Sequence, residues 1–192
     1  MTRGNPPVPS NSLRLRASSY ATLLEPVGPR TWQNDAVTFE GYCDAACSGN
    51  PGPGAPAAVL VAREGSRVVQ EREIVGEVEP FTTNQREELK GAILILEALK
   101  RPVAITVTSD SRYLVDGMTK WVPNWQRNGW VNSKREAVAN QDLWRRLLDL
   151  AVGHEVRWNW VKGHAGHPYN ERCDRLAVAA VDAYKRASGR NG

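Results

Sequence analysis

The sequence is poor in cysteine, and the few cysteines are irregularly placed. Its 192 residues include three, Cys43, Cys47 and Cys173. An odd number without regular spacing argues against a disulfide framework and favours a reducing compartment. Cys43 and Cys47 suggest half of a zinc site, but no second pair of Cys or His residues has the spacing that would complete it. We therefore expect neither disulfides nor structural zinc.

The sequence also lacks any long apolar run. Its longest apolar stretches fall far short of the roughly 20 residues of a membrane-spanning helix. The N-terminal stretch MTRGNPPVP is polar and has no apolar core of a secretory signal. We expect a cytoplasmic protein that does not contact a membrane. Hydrophobic residues still make up 41% of the chain, which is enough for one globular domain with modest tails.

Positive charge is in slight excess and unevenly distributed. The net charge is +4 and the isoelectric point is about 9.1. Residues 112–146 contain seven Lys or Arg against three acids, so this stretch alone carries an excess of four positive charges. Residues 1–35 are rich in Pro, Ser, Asn and Arg, which predicts a disordered N-terminal arm. We expect one domain over residues 36–186 and a short tail over residues 187–192.

Hydrophobic periodicity predicts an α/β domain with a five-stranded mixed sheet, in which three antiparallel strands precede parallel ones. After the first three strands comes a helix over residues 84–100 with an apolar stripe at the 3.6-residue period. Helices and strands then alternate, which is typical of a mixed-sheet domain. Asn140 is expected to cap the helix that it begins. The predicted strands are residues 37–44, 55–63, 67–75, 103–109 and 155–161, and the later helices are residues 111–117, 120–127, 140–151 and 168–187.

Four acidic residues occur in settings that are unusual for a core. Asp44 and Asp110 each follow an apolar run that predicts a strand. Glu88 lies in the first turns of a helix, and Asp174 lies beside the apolar face of the last helix. Taken singly, each is as well explained as a turn former, a partner of the helix dipole or a solvated side chain. Facing one another, however, four carboxylates would repel and raise their pKa values, and Mg²⁺ or Mn²⁺ would relieve that repulsion.

Longer strings of sequence surround these acids. They are CDAACSGNPGPG at residues 43–54, TTNQREEL at 82–89, VAITVTSD at 103–110 and VKGHAGHPYNERCD at 161–174. Taken together, they closely resemble the type 1 ribonuclease H family over residues 37–184. The resemblance implies an RNase H-like fold and an endonuclease that hydrolyses the RNA strand of RNA–DNA hybrids, leaving 5′-phosphate and 3′-hydroxyl ends. An integrase or resolvase of the same fold, or a hybrid-binding module without catalysis, is the alternative interpretation.

The resemblance also assigns roles to five residues. Asp44 is implied to bridge two Mg²⁺ ions, for which Mn²⁺ can substitute. Glu88 and Asp110 are implied to hold the ion near the attacking water. Asp174 is implied to hold the other ion. His164 matches the family's mobile-loop histidine, which assists proton transfer or product release. A histidine of an ordinary surface loop is the alternative at that position.

Two surfaces that hold the hybrid are implied in the same way. Residues of a loop and a helix start contact the nucleic-acid backbone, and a Trp-rich basic protrusion grips the DNA strand. Packing within the domain is the alternative for the Trp residues, and it is the favoured one for Trp121 and Trp144. We expect the protein to be a monomer. The expected backbone contacts are Asn50, Thr83, Asn84 and Gln85, and the protrusion residues are Trp121, Trp125, Arg127, Trp130, Lys134 and Arg135.

Two positions depart from the family pattern. Asp44-Ala45-Ala46 stands where Asp-Gly-Ser is usual, and the Cβ of Ala45 could shift the backbone or narrow the approach of RNA. Arg112 stands where Gln or another neutral residue is common. Both departures bear on efficiency and metal preference, and neither removes an acid.

Overall fold

The computed structural model describes residues 37–189, so the predictions for residues 1–35 and for the end of the tail lie outside the described residues. The strands are β1 (Val37–Cys47), β2 (Gly52–Glu64), β3 (Arg67–Val75), β4 (Glu79–Thr82), β5 (Ala104–Ser109) and β6 (Glu155–Trp160). The helices are α1 (Asn84–Ala98), α2 (Arg112–Asp116), α3 (Val122–Arg127), α4 (Gln141–Ala151) and α5 (Pro168–Ser188). A π-helical turn, Gly117–Trp121, joins α2 to α3.

The strands form one mixed sheet in the order β3-β2-β1-β5-β6, and β4 pairs with the start of β2. Strands β1, β2 and β3 are antiparallel, whereas β1 pairs in parallel with β5 and β5 with β6. The predicted mixed architecture is therefore confirmed. The sequence pattern missed β4, because its four residues are too few to show an alternation of apolar and polar side chains.

Helices pack on both faces of this sheet. Successive residues of a strand point to opposite faces. In β1, Cys43 joins the larger core beneath α1 and α4, whereas Tyr42 joins a smaller cluster that contains Cys173 of α5. Helices α1 and α5 therefore cover opposite faces of β1, and each carries one of the predicted acidic residues to that strand. Within residues 37–189, no helix is long and apolar enough to cross a membrane.

The prediction that a strand ends at Asp44 is wrong. Strand β1 continues to Cys47, and its pairing with β2 is unbroken from Asp44, opposite Ala57, to Cys47, opposite Gly54. Small residues on both strands allow this pairing where the sequence alone suggests a loop. The turn itself is confined to residues 48–51. Ala45 is buried inside the paired region, so its Cβ does not interrupt the strand.

Asn140 is the N-cap residue of α4, as predicted, but it does not cap the helix through its side chain. Asn140 does precede α4, but it has a left-handed backbone with φ of 56°, and its side chain makes no capping hydrogen bond. Its Nδ2 instead donates to the Tyr113 hydroxyl at 3.1 Å, and its Oδ1 accepts from Arg86 at 3.3 Å. The side chain therefore ties the start of α4 to α2 and α1 rather than satisfying the α4 amides.

Candidate active site

Asp44 is the central acidic residue of the site. Its Oδ1 accepts a hydrogen bond from the Ala45 amide at 2.8 Å, and its Oδ2 accepts one from Nδ2 of Asn170 at 3.3 Å. Burial, followed by the charge of Asp110, raises the pKa of Asp44 to about 7. The charges of Asp174 and Glu88 raise that pKa further, which shows that all three other acids act on this carboxylate.

Glu88 reaches this site because α1 lies very close to β1. A Cβ at Gly91, three residues after Glu88, would lie only 3.0 Å from the Cβ of Cys43, so glycine permits the contact between helix and strand. The Glu88 carboxylate accepts hydrogen bonds from Asn84 Nδ2 at 2.8 Å and from the Ser111 hydroxyl at 2.6 Å. Burial raises the pKa of Glu88, and the Ser111 hydrogen bond lowers it in part.

Asp110 directly follows β5, as the sequence predicts. Its carbonyl oxygen accepts a hydrogen bond from Trp160 Nε1 at 2.9 Å, which fixes the backbone at the end of that strand. A Cβ built on Gly163 would overlap Oδ2 of Asp110. Glycine at position 163 therefore leaves the Asp110 carboxylate where it is, and a larger residue would displace it, because the loop that follows β6 passes directly beside this carboxylate.

Asp174 and His164 approach from the last part of the chain. Asp174 lies one helical turn after Asn170 on α5, so both face β1 near Asp44. His164 is exposed in the loop between β6 and α5, with a left-handed φ of 50°. The amide of Gly166 in that loop donates to Glu171 Oε1 at 2.9 Å, which ties the loop to the first turn of α5.

The donor chemistry of these four carboxylates fits hard divalent cations such as Mg²⁺ or Mn²⁺. The carboxylates are nevertheless not arranged to bind an ion directly. Within residues 37–189, no three Asp, Glu, His or Cys side chains converge as ligands of one ion. Both oxygens of Glu88 are engaged with Asn84 and Ser111, so this side chain would exchange a hydrogen bond for an ion. The charge and the ligand types of the site therefore fit a metal ion, and binding it would require side chains, Glu88 among them, to rearrange.

The predicted backbone-contact residues lie together beside Glu88. Asn50 Oδ1 accepts a hydrogen bond from the Asn84 amide at 3.3 Å, which joins the turn after β1 to the start of α1. Thr83 caps α1 by accepting from the Arg86 amide at 3.4 Å. Gln85 is exposed at the same helix start. The four residues form one polar edge, and Asn84 connects that edge to the carboxylates.

The predicted protrusion residues separate into buried rings and exposed charges. Trp144 is 0% exposed and Trp130 is 7% exposed, with the Arg145 guanidinium 4.7 Å above the Trp130 ring. The Trp125 ring lies between them, 6.3 Å from that of Trp130 and 5.6 Å from that of Trp144. Packing therefore accounts for Trp130 and Trp144. Trp121 and Trp125 are partly buried in the same cluster, while Arg127, Lys134 and Arg135 are exposed.

Sequence reasoning missed four residues that organise the site: Asn170, Ser111, Gly163 and Trp160. Asn170 had a usable signal, since it precedes Asp174 by four residues and must share its helix face. Ser111 adjoins Asp110, but its contact with Glu88 joins residues that are 23 positions apart. The Trp160 contact with Asp110 spans 50 positions and has no signal in a single sequence.

The fold and this site together define an enzyme of the RNase H-fold class, in which carboxylates from β1, α1, the end of β5 and α5 gather around one strand. Comparison with known proteins narrows this class. The family model for RNase H matches residues 35–182. The chain belongs to the RNase H family, and it is therefore a nuclease of the hydrolase class.

Curated relatives agree with this assignment. A ribonuclease H from Dinoroseobacter shibae is 52% identical over 151 residues, which cover 79% of this chain and 96% of the relative. A ribonuclease H from Syntrophotalea carbinolica is 56% identical over 140 residues, which cover 73% of this chain and 88% of the relative. Among solved structures, LC9-RNase H1 superposes with a TM-score of 0.68 and 36% identity, covering 76% of this chain and 72% of that one.

Proposed function

We propose that this enzyme hydrolyses the RNA strand of RNA–DNA hybrids with two divalent ions, leaving 5′-phosphate and 3′-hydroxyl ends. The observation that carries the proposal is the position of Asp44, a partly buried carboxylate on which three further carboxylates act. In a chain of the RNase H family, a repulsive cluster of this kind is best explained as a metal site. Its oxygen ligands suit Mg²⁺, and Mn²⁺ as a substitute.

Each carboxylate has a distinct part in this proposal. Asp44 would serve both ions, Glu88 and Asp110 would hold the ion on the side of the nucleophile, and Asp174 would hold the other. When bound, the ions supply an activated water and stabilise charge on the leaving 3′-oxygen during an in-line displacement. The protein's own contribution is to hold these oxygens in place before the substrate arrives.

Neighbouring side chains keep the carboxylates oriented. Asn170 holds Asp44 through Oδ2, while Asn84 and Ser111 hold the two oxygens of Glu88. Gly163 leaves the space that the Asp110 carboxylate occupies. His164 lies outside this network on an exposed loop, which is where a group that passes a proton to solvent or to a departing product is useful.

The substrate is gripped at two places in this proposal. Asn50, Thr83, Asn84 and Gln85 offer short polar groups to the sugars and phosphates of the RNA strand, where 2′-hydroxyls distinguish RNA from DNA. At the second place, the exposed charges of the protrusion neutralise phosphates of the DNA strand. Those charges are Arg127, Lys134 and Arg135.

Labelled RNA–DNA hybrid, duplex DNA and duplex RNA, each with Mg²⁺ and with EDTA, test the proposal. We expect cleavage of the RNA strand of the hybrid alone, with Mg²⁺ only, and products that ligase-based end analysis identifies as 5′-phosphate and 3′-hydroxyl. Cleavage of duplex DNA would instead indicate an integrase-like or resolvase-like activity. Tight hybrid binding without cleavage would indicate a binding module. We further propose a cytoplasmic monomer, which fractionation of cells and size-exclusion chromatography would test.

A further inference from the structure

Arg112 is an exposed arginine beside the active site, two residues after Asp110. Its guanidinium carbon lies 3.8 Å from the centre of the Trp160 ring. Within residues 37–189 it forms no ion pair, whereas Arg86 and Arg172 are paired with carboxylates. An aromatic ring therefore positions Arg112, and no carboxylate among the described residues forms an ion pair with it.

Trp160 is itself anchored to the active site. Its indole Nε1 donates to the carbonyl oxygen of Asp110 at 2.9 Å, and the residue remains 37% exposed. The ring is thus fixed at the backbone of a carboxylate residue, and its open face supports the guanidinium. Ser111, which lies between Asp110 and Arg112, holds Glu88 by a hydrogen bond of 2.6 Å. Arg112 is therefore placed at the edge of the carboxylate cluster.

A guanidinium stacked on an indole keeps its N–H groups at the rim of the plane. Those donors match the two oxygens of a phosphate, and the stack reduces the conformational freedom lost on binding. A positive charge at the edge of a carboxylate cluster would also offset repulsion between that cluster and an incoming polyanion. The chemistry of the position is therefore that of a phosphate contact.

We infer that Arg112 binds a non-bridging phosphate oxygen of the RNA strand next to the cleaved bond, and that Trp160 positions it for this contact. The inference rests on the proposed hydrolysis of hybrids, because it names the strand that lies along the carboxylates. Arg112 is a binding residue, and Trp160 acts through it.

The test compares four variants on a labelled RNA–DNA hybrid with Mg²⁺, between about 50 and 200 mM salt. Arg112→Gln removes the charge, Arg112→Lys keeps the charge without the planar stack, and Trp160→Phe keeps a ring without the bond to Asp110. Arg157→Gln is the matched control, since Arg157 is exposed on the same strand three residues before Trp160. Initial rates give kcat and KM separately for each variant.

We expect Arg112→Gln to raise KM by roughly 10-fold at the lowest salt, with kcat within about twofold of the unsubstituted enzyme. One lost phosphate contact should also reduce the slope of log KM against log salt by about 0.9. Arg112→Lys should restore that slope with a smaller rise in KM, and Trp160→Phe should raise KM through loss of positioning. Arg157→Gln should change neither quantity.

Two results would overturn the inference. If Arg112→Gln left the salt slope unchanged, the residue would contact no phosphate, and its stack on Trp160 would be structural only. If Arg112→Gln and Arg157→Gln shifted the slope equally, the effect would be one of net charge. In both cases cleavage of the hybrid by the unsubstituted enzyme would leave the proposed function standing. Absence of that cleavage would overturn the proposed function and this inference together.

Discussion

Replacing Asp44 by asparagine should stabilise the metal-free protein, and most strongly above neutral pH. The substitution keeps the size of the side chain and its acceptor for the Ala45 amide. It removes the negative charge on which the other acids act. Asn170 can accommodate the new amide, because its Oδ1 is buried without a hydrogen-bond partner and can accept from it once the Asn170 amide is turned.

The magnitude follows from the pKa of Asp44, which rises from 3.8 to about 7 on folding. Between these values the folded state binds more protons than the unfolded state, so stability falls as pH rises through this window. Above it, the full penalty is about 4 kcal/mol as an upper limit, since each pKa unit corresponds to about 1.4 kcal/mol. Water that reaches the partly exposed carboxylate should reduce the observed gain to about 1–3 kcal/mol.

Urea unfolding in EDTA at about pH 5 and about pH 8 measures this effect. The gain from Asp44→Asn should be largest at the higher pH and less than half as large at the lower one. Asp149→Asn on the exposed surface of α4 is the matched control, and it should change the free energy of unfolding very little at either pH. Mg²⁺ should raise the stability of the unsubstituted protein but not that of Asp44→Asn. Parallel pH dependences for the two proteins would refute the reasoning.

Three further substitutions and one truncation test the site. Asp110→Asn should lower cleavage by several orders of magnitude with the circular dichroism spectrum unchanged, and near-normal turnover would contradict the two-metal assignment. His164→Ala should lower kcat roughly 10²-fold with little change in KM; loss of metal binding in calorimetry would make His164 a ligand. Gly163→Ala should displace the Asp110 carboxylate and lower kcat roughly 10²-fold, whereas Gly153→Ala, whose new Cβ meets only Leu150 at 3.8 Å, should not. A chain that begins at Ala36 should still cleave the hybrid, with weaker binding chiefly at low salt.

Most of the fold could be predicted from the sequence, because the periodic spacing of apolar side chains is a local property. The stripe of α1 and the apolar run of β5 follow from side-chain spacing alone, and the structure has both elements. The end of β1 did not follow, because pairing of Asp44–Cys47 with β2 is a tertiary contact that overrides the loop-like composition. The left-handed backbone of Asn140 could not be predicted either, since it accompanies side-chain contacts with α1 and α2 that form only in the folded protein.

In the candidate site, too, some features could be predicted from the sequence and others depend on tertiary contacts. The four acids could be proposed from sequence, because each lies in a long and distinctive string of residues. Their hydrogen-bond partners could not, since Ser111 meets Glu88, and Trp160 meets Asp110, only after the sheet has assembled. Periodicity also could not decide which Trp rings of the protrusion are buried, because a ring that packs and a ring that binds a base occupy the same helical spacing.

The electrostatics of the site connect stability to function. Burial and mutual repulsion oppose ionisation of Asp44 and Glu88, and hydrogen bonds from Asn84, Ser111 and Asn170 offset only part of that cost. Under the proposed function, a divalent cation would recover the uncompensated remainder of this free energy on binding, so the same repulsion that weakens the metal-free fold would strengthen its affinity for metal. Substitutions that stabilise the metal-free protein by removing charge at Asp44 should therefore be those that abolish catalysis.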